Sequence, residues 1–497
     1  MSETALRSPA PAEIPVGGEL QARVARSSKW TVAGLGAANL LRLASNVILA
    51  RLLVRDDFGV MVMVSTFVMG LGMFSDVGVG PCIVHSRRGD DPSFLDSAFS
   101  LQVLRGFLLF AAALLLAAPF AALYANEQHP GYAQLEQLLP VAALQAILQG
   151  FNSTKIFTAE RHLALARKVQ GELLAQAAAI AVMVVWAANS PTPWALVAGT
   201  LTQAAVVMLW SHLALPGERN RLRFERAALA ELLRFGRWIF VSTGVTFFAM
   251  QIDRLLLGQK VPEGVLGVYG QALAIVNLPQ FLGGVLTGQV IFPLLASYAR
   301  REPEQLRARF EQSRTTLLRA ALLLSLAVAL FSPVFFELFY LPEFHDAGWM
   351  APLSMLASWF FLLSVTSDRA LLARGDTRSL ACANLAAFAG KLVGGWLGYR
   401  VAGLPGFIVG LSLGTLLGHA VVQVSLAAHG LPIHRQDLRY TAIAALAGGL
   451  VFLLNRELER SGFSPAMLAL QVAVGLAVCG PLGLQLFRRI RAQGVAG

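Results

Sequence analysis

The feature that most restricts what this chain can become is a series of about 14 apolar runs, each near the ~20 residues a helix needs to cross a hydrocarbon core. Cut at polar punctuation, they include Trp30–Ala50, Asp57–Gly80 and Gln137–Phe157 early in the chain. Leu380–Arg400, Leu404–Ala428, a short Tyr440–Leu454 and Ser464–Phe487 follow near its end. Only 14% of the 497 residues are charged, where a soluble chain carries about 25%. Transmembrane barrels alternate apolar and polar residues over about ten positions, and that alternation is missing here. The expected class is an all-α polytopic membrane protein of about 14 transmembrane helices.

A net charge of +11 suggests nucleic acid, but the basic residues form no single face and instead punctuate the apolar runs, as loop anchoring predicts. No nucleic-acid partner is expected. With the N-terminus inside, about 30 of the 40 Lys and Arg lie on the cytoplasmic side, so both termini are expected to be cytoplasmic. Residues 1–28 are polar and read as a disordered tail. The expected order is a six-span lobe over 29–215, a basic linker over 216–234 and a second six-span lobe over 235–430. A helix pair over 431–488 and a cytoplasmic tail over 489–497 complete it. Two basic stretches, Pro216–Leu233 and Arg300–Arg314, read as amphipathic linkers lying on an anionic leaflet.

The halves echo each other. Lys29–Trp30 returns as Arg237–Trp238, and Phe58–Gly59–Val60 as Leu266–Gly267–Val268, both at an offset of 208 residues. Six spans lie between the copies, an even number, so both start on the same side and the lobes are expected to be parallel.

Charge within the spans is the next clue, because an ionised group at mid-bilayer costs at least about 2.5–3.5 kcal/mol. Asn39, Arg42 and Asn46 share one face of the first span, which suits either a cavity lining or an Arg snorkelling outward beside interhelical amides. Asp253 and Arg254, near the end of the seventh span, point about 100° apart and suit either a cavity or a packing ion pair. Lys391 sits mid-span among small residues, too deep to snorkel. Asn277 and Gln280 flank Pro279, where a helix break at membrane depth is expected either to kink the helix or to open a binding element. Asp76 and Arg105 read as a structural ion pair between the second and third spans.

Enzyme signatures such as a P-loop, HExxH or GxSxG are absent from the sequence. Cys82, Cys382 and Cys479 are scattered, and the eight His fall mostly at loops or span ends, where surface roles are expected. No metal, cofactor or catalytic residue is expected.

The stretch ARLLVRDDFGVMVMVSTFVMGLGMFSDVGVGPCIVH resembles the second-span signature of the polysaccharide transporter family, within the multidrug/oligosaccharidyl-lipid/polysaccharide exporter superfamily. DRLLLGQ, LGVYGQALAIVNLPQ and FPLLASYAR resemble its seventh and eighth spans, and the likeness covers most of residues 28–430. The resemblance implies two six-helix lobes in a V and alternating access in a bacterial inner membrane. The implied cargo is an undecaprenyl-diphosphate-linked oligosaccharide, with membrane lipids and a polysaccharide polymerase or export machinery as partners. By the same analogy, Arg42 and Arg254 would meet the diphosphate or an acidic sugar. The rivals are a cation-coupled multidrug exporter of the same superfamily, disfavoured by the basic excess within the spans, and a polysaccharide polymerase or ligase. The last is disfavoured because no outer loop is long enough to house its chemistry.

Overall fold

The protein is seen as a computed structural model that describes residues 34, 36–75, 78–127, 129–288, 306–373, 376–461, 469–477, 480 and 483. Among these residues it is helical, the one pairing of extended backbone being an isolated bridge between Asn126 and His129. Its helices are α1 (36–49), α2 (Arg55–Met73), α3 (Val79–His85), α4 (Pro92–Tyr124) and α5 (Leu135–Gly150). They continue with α6 (Lys155–Arg161), α7 (Leu165–Asn189), α8 (Trp194–Leu213), α9 (Arg226–Leu257) and α10 (Glu263–Leu286). After α10 come α11 (Leu306–Phe339), α12 (Ala347–Ala373), α13 (Thr377–Ala428), α14 (His434–Ser461) and α15 (469–477). Nine helices among the described residues are long and apolar enough to cross a membrane. Their outer faces suit hydrocarbon: Leu115, Leu213, Val401 and Leu446 are 77–86% exposed. In water such faces would cost about 25 cal/mol per Å².

Several boundaries differ from the sequence expectation, each for a local reason. The Asp57–Gly80 run breaks after Met73, and Gly78, at φ +61°, turns the chain into α3. The Gln137–Phe157 run ends at Gly150 and resumes as α6. The short Tyr440–Leu454 run extends into the 28-residue α14.

The first basic stretch is not a surface linker throughout; of the second, residues 300–305 lie outside the described residues and 306–314 open α11. Residues 226–233 form the first turns of α9, and Ala228 and Leu232, four apart on one face, are fully buried among Val79, Ile83, Phe94 and Ala98. The preceding connector is held by α4: Ser100 Oγ accepts from the Arg223 N–H at 2.8 Å, and Ser97 Oγ from the Glu225 N–H at 3.0 Å. Arg88 bridges Asp91, which caps α4, and Glu225 at the start of α9. Hydrogen bonds from Arg88 and Ser93 hold the Glu225 carboxyl below the usual carboxylate range. A lowered folded value means the clamp is complete above the ordinary glutamate value and is lost as pH falls through the lowered one. Hydrogen exchange at residues 219–226, corrected for its intrinsic rate, should therefore show equal protection at neutral and mildly acidic pH and lose protection only once pH falls below the ordinary glutamate range.

The 52-residue α13 is two helices folded on each other at Ala402 and Gly403, the latter at φ +60°. A glycine ladder joins its arms. A Cβ on Gly394 would lie 2.3 Å from the Gly410 carbonyl oxygen, and one on Gly398 would lie 2.0 Å from that of Gly406. Backbones this close permit no side chain. Gly394→Val is therefore expected to cost about 1–3 kcal/mol, read as a lower Tm in detergent. Gly449→Ala, where a Cβ meets nothing within 4 Å, should leave Tm nearly unchanged.

At the centre α2 lies against α10. Asp56 meets Gly264, Gly59 meets Gly267 and Val62 meets Gly270, so the two helices run in the same direction. Each pair is separated by 208 residues, the offset of the sequence repeat. The approach is reciprocal: a Cβ on Gly59 would lie 1.8 Å from the Glu263 carbonyl oxygen, and one on Gly267 would lie 2.1 Å from that of Arg55. Contacts of the i-to-j, j-to-i kind are the mark of a local two-fold relation. The FGV and LGV motifs recur because two glycines must face each other at this crossing.

Candidate functional site

Four helices enclose a cavity of ≈ 370 Å³ lined by Asp253 and Arg254 of α9, Tyr269, Asn277 and Gln280 of α10, Ser354 of α12, and Lys391 and Thr415 of α13. Five residues singled out from the sequence, from Asp253 to Lys391, thus meet in one place. The glycine ladder explains how Lys391 reaches it. Its small neighbours let the two arms of α13 close on each other, as Gly390 against Gly414 shows, and Lys391 Nζ donates to the Ala249 carbonyl on α9 at 2.8 Å.

Among the described residues two cations and one carboxylate line the cavity, an excess of one positive charge. Asp253 makes no ion pair among the described residues; its Oδ2 accepts from the Tyr269 hydroxyl at 2.9 Å. The packing-ion-pair alternative thus finds no partner among the described residues, and both Asp253 and Arg254 line the cavity. Arg254 donates to Gln251 Oε1, which sets the guanidinium along α9. A guanidinium and an ammonium beside neutral amides form a donor-rich site that can hold a phosphate or carboxylate at several oxygens. Amide groups add polarity at Asn277 and Gln280, and hydroxyls at Ser354 and Thr415.

Of the two alternatives at Pro279, the opened element is not seen: α10 is helical from Glu263 through Leu286, with Pro279 buried inside it. One missing N–H is tolerated where neighbouring helices pack on both sides, here α2 and α12. Asn277 and Gln280 therefore reach the cavity from an unbroken helix.

Asn39, Arg42 and Asn46 stay apart from this cavity. On α1, Arg42 is exposed and Asn39 and Asn46 are half-buried, and none of the three lines the α9–α13 site. Asp76 lies outside the described residues. Arg105 donates to Ser75 Oγ at 2.9 Å and to the Gly72 carbonyl at 2.7 Å, tying α4 to the end of α2.

Sequence reasoning missed two things. Gln251 and Tyr269, the immediate partners of Arg254 and Asp253, look like ordinary span residues until the helices are packed. The larger omission is a buried polar network. Arg314, fully buried, bonds to Asp437, to Gln436 Oε1 at 2.9 Å and to Thr366 Oγ1 at 3.1 Å. The other Asp437 oxygen pairs with His419 Nε2 at 2.9 Å. His419 is 4% exposed, so a surface role is wrong for it. The spacing of an Arg at the end of a basic stretch and an Asp before a span holds no signal that they meet.

Residues 48–347 match the family described as polysaccharide biosynthesis protein. The lipopolysaccharide biosynthesis protein WzxC of Escherichia coli strain K12 is 24% identical over 292 residues, 59% of this chain and 58% of that protein. The amylovoran biosynthesis protein AmsL of Erwinia amylovora is 24% identical over 138 residues, 28% of this chain and 35% of that one. The matched stretch thus spans under two thirds of either relative. In fold the chain is similar to the lipid II flippase MurJ in an inward closed conformation, with a TM-score of 0.67 at 13% identity over 93% of this chain and 99% of that one. It is also similar to an inward-facing multidrug resistance MATE family transporter of the MOP superfamily, with a TM-score of 0.62 at 14% identity over 79% and 95% of the two chains.

Proposed function

Because the chain belongs to the polysaccharide biosynthesis protein family, we propose that it is a flippase moving a polyprenyl-diphosphate-linked oligosaccharide across a bacterial inner membrane by alternating access. The observation that carries the reading is the cavity between long apolar helices in which Arg254 and Lys391 meet, with Asp253 the one carboxylate among the described lining residues. Such charge is costly in a span and persists where it serves a polar pathway. An anionic diphosphate headgroup matches the excess charge, and it is the part of a lipid-linked sugar that crosses hydrocarbon least readily.

In this reading the chain has about 14 spans, cytoplasmic termini, and parallel lobes over 29–215 and 235–430, with 431–488 as an added pair. The same-direction contact of α2 with α10 supports parallel lobes. Rocking about that crossing would expose the cavity to each side in turn. Arg42, Asn39 and Asn46 on α1 would meet the headgroup during entry or exit, outside the cavity in the present state.

A second reading, a cation-coupled multidrug exporter, draws on the MATE-like fold and on Asp253 in the cavity. A cationic cargo would face two cations there, which disfavours it. Deleting the gene in its host separates the two. The flippase reading expects loss of a surface polymer and accumulation of its lipid-linked repeat unit on the cytoplasmic leaflet. Intact polymer together with new drug sensitivity would favour the exporter.

A further inference from the structure

A second cavity, of ≈ 430 Å³, lies in the N-terminal half between α2, α4, α5 and α8. Its lining contains five amide side chains, those of Gln102, Gln145, Gln149, Asn152 and Gln203, together with Thr200. Among the described residues of its lining Arg105 is the one charged side chain and none is a carboxylate. From this arrangement we infer that the cavity is a carbohydrate subsite, which receives the glycan of the lipid-linked cargo while the diphosphate is held elsewhere.

Helical spacing aims the polar groups inward. Gln102, Arg105 and Gly106 share a face of α4, Gln145 and Gln149 a face of α5, and Thr200 and Gln203 a face of α8. Close approach of α4 and α5 gives the cavity its wall: a Cβ on Gly106 would lie 2.7 Å from the Ala146 carbonyl oxygen, and one on Gly150 would lie 2.8 Å from that of Gln102. Phe157, packed against Gly80, adds an apolar ring.

The amides here differ from those that glue helices elsewhere in the molecule. Asn455 spends its Nδ2 on the Ala329 carbonyl at 2.9 Å, and Gln436 its Nε2 on Thr315 Oγ1 at 2.7 Å. Among the described residues Gln102 Nε2 and Asn152 Oδ1 are instead buried without a hydrogen-bond partner, although Gln102 is only 8% exposed. An unsatisfied buried donor or acceptor costs about 1–3 kcal/mol, so it is retained where something else satisfies it.

The chemistry of the missing partner follows from the lining. A carboxamide offers a donor and an acceptor side by side, and sugar hydroxyls are both donor and acceptor, so five amides suit a ring of neutral hydroxyls. A cationic drug would need carboxylates. A phosphate would need more than Arg105, whose guanidinium is already engaged with Ser75 and Gly72. The volume falls in the usual range for small-molecule pockets.

This assignment deepens the flippase reading and rests on it, but a binding test separates their failures. The full-length protein in detergent is titrated with undecaprenyl diphosphate and with undecaprenyl diphosphate bearing glucose, galactose or N-acetylglucosamine, and its thermal stabilisation is followed. At least one glycan-bearing probe should reach half-maximal stabilisation at a concentration about tenfold below bare undecaprenyl diphosphate. Gln102→Leu and Gln149→Leu should each erase about three- to tenfold of that preference and leave the affinity for the bare lipid unchanged. Gln203→Ala, the mildest truncation, should do the same to a smaller degree and guards against misfolding of the first two. Equal affinity of the wild-type protein for bare and glycosylated lipids would overturn the subsite. So would an equal loss for both kinds of probe in the variants. A glycan preference that needs these amides, in a protein that moves neither lipid across a vesicle bilayer, would sustain the subsite and remove the flippase.

Discussion

Lys391→Ala is expected to cut export of the lipid-linked cargo at least about tenfold while the protein inserts and folds normally. A charge-assisted hydrogen bond contributes about 1.5–3 kcal/mol, and the ammonium is one of two cations in the α9–α13 cavity. Its loss strands no carboxylate, because Asp253 keeps its bond from Tyr269 and lies beside Arg254 in sequence. Lys391→Arg keeps the charge, but a planar guanidinium does not reproduce the point contact of Nζ with the Ala249 carbonyl, so partial activity is expected. The readout is surface polymer in cells lacking the native copy, set against membrane protein level and Tm. Unchanged export with Lys391→Ala would assign that residue to holding α13 on α9 through the Ala249 carbonyl.

Arg314→Ala should instead act on stability, lowering it by about 3–5 kcal/mol. Arg314 and Asp437 are 0% and 9% exposed at their side chains, so truncation leaves a buried carboxylate whose remaining side-chain partners among the described residues are His419 and Gln423. Burying the charged pair was itself costly, and much of that cost is offset only while both partners are present. The double variant Arg314→Leu with Asp437→Leu is therefore expected to be far closer to wild type than either single change. Detergent Tm and the level of folded protein in membranes measure this. Comparable losses for single and double variants would mean the network contributes by geometry and not by charge. Because Asp437 lies near the start of α14 and Arg314 near that of α11, loss of the pair should first loosen α14 from the bundle.

How much of this was legible in the sequence depends on the physical origin of each feature. Spans are written in local composition, so the all-helical membrane class follows from apolar runs of bilayer length. The repeat was legible through only a few residues, and the structure shows why those few: Gly59 and Gly267 cannot carry side chains at the α2–α10 crossing. Arg254 and Lys391 were conspicuous because charge in a span is rare, and the packing brought them together. Arg42 was equally conspicuous and stayed outside, since its helix lines no part of that cavity. The neutral amides of the N-terminal cavity gave no such warning. Glutamine is unremarkable along a span, and only the convergence of α4, α5 and α8 turns four of them, with Asn152 just beyond α5, into a site. Arg314 and Asp437 were hidden for the opposite reason, since polar flanks mimic surface loops until a long helix carries them inward.

Reconstitution tests the central claim most directly. The purified full-length protein is placed in liposomes with a fluorescent undecaprenyl-diphosphate-linked glycan, and the fraction of probe open to an external quencher or glycosidase is followed in time. The account predicts that wild-type vesicles expose the inner-leaflet probe well above the protein-free rate, and that Arg254→Ala and Lys391→Ala vesicles fall back toward it. Wild-type rates equal to those of protein-free vesicles for every glycan tried would contradict it.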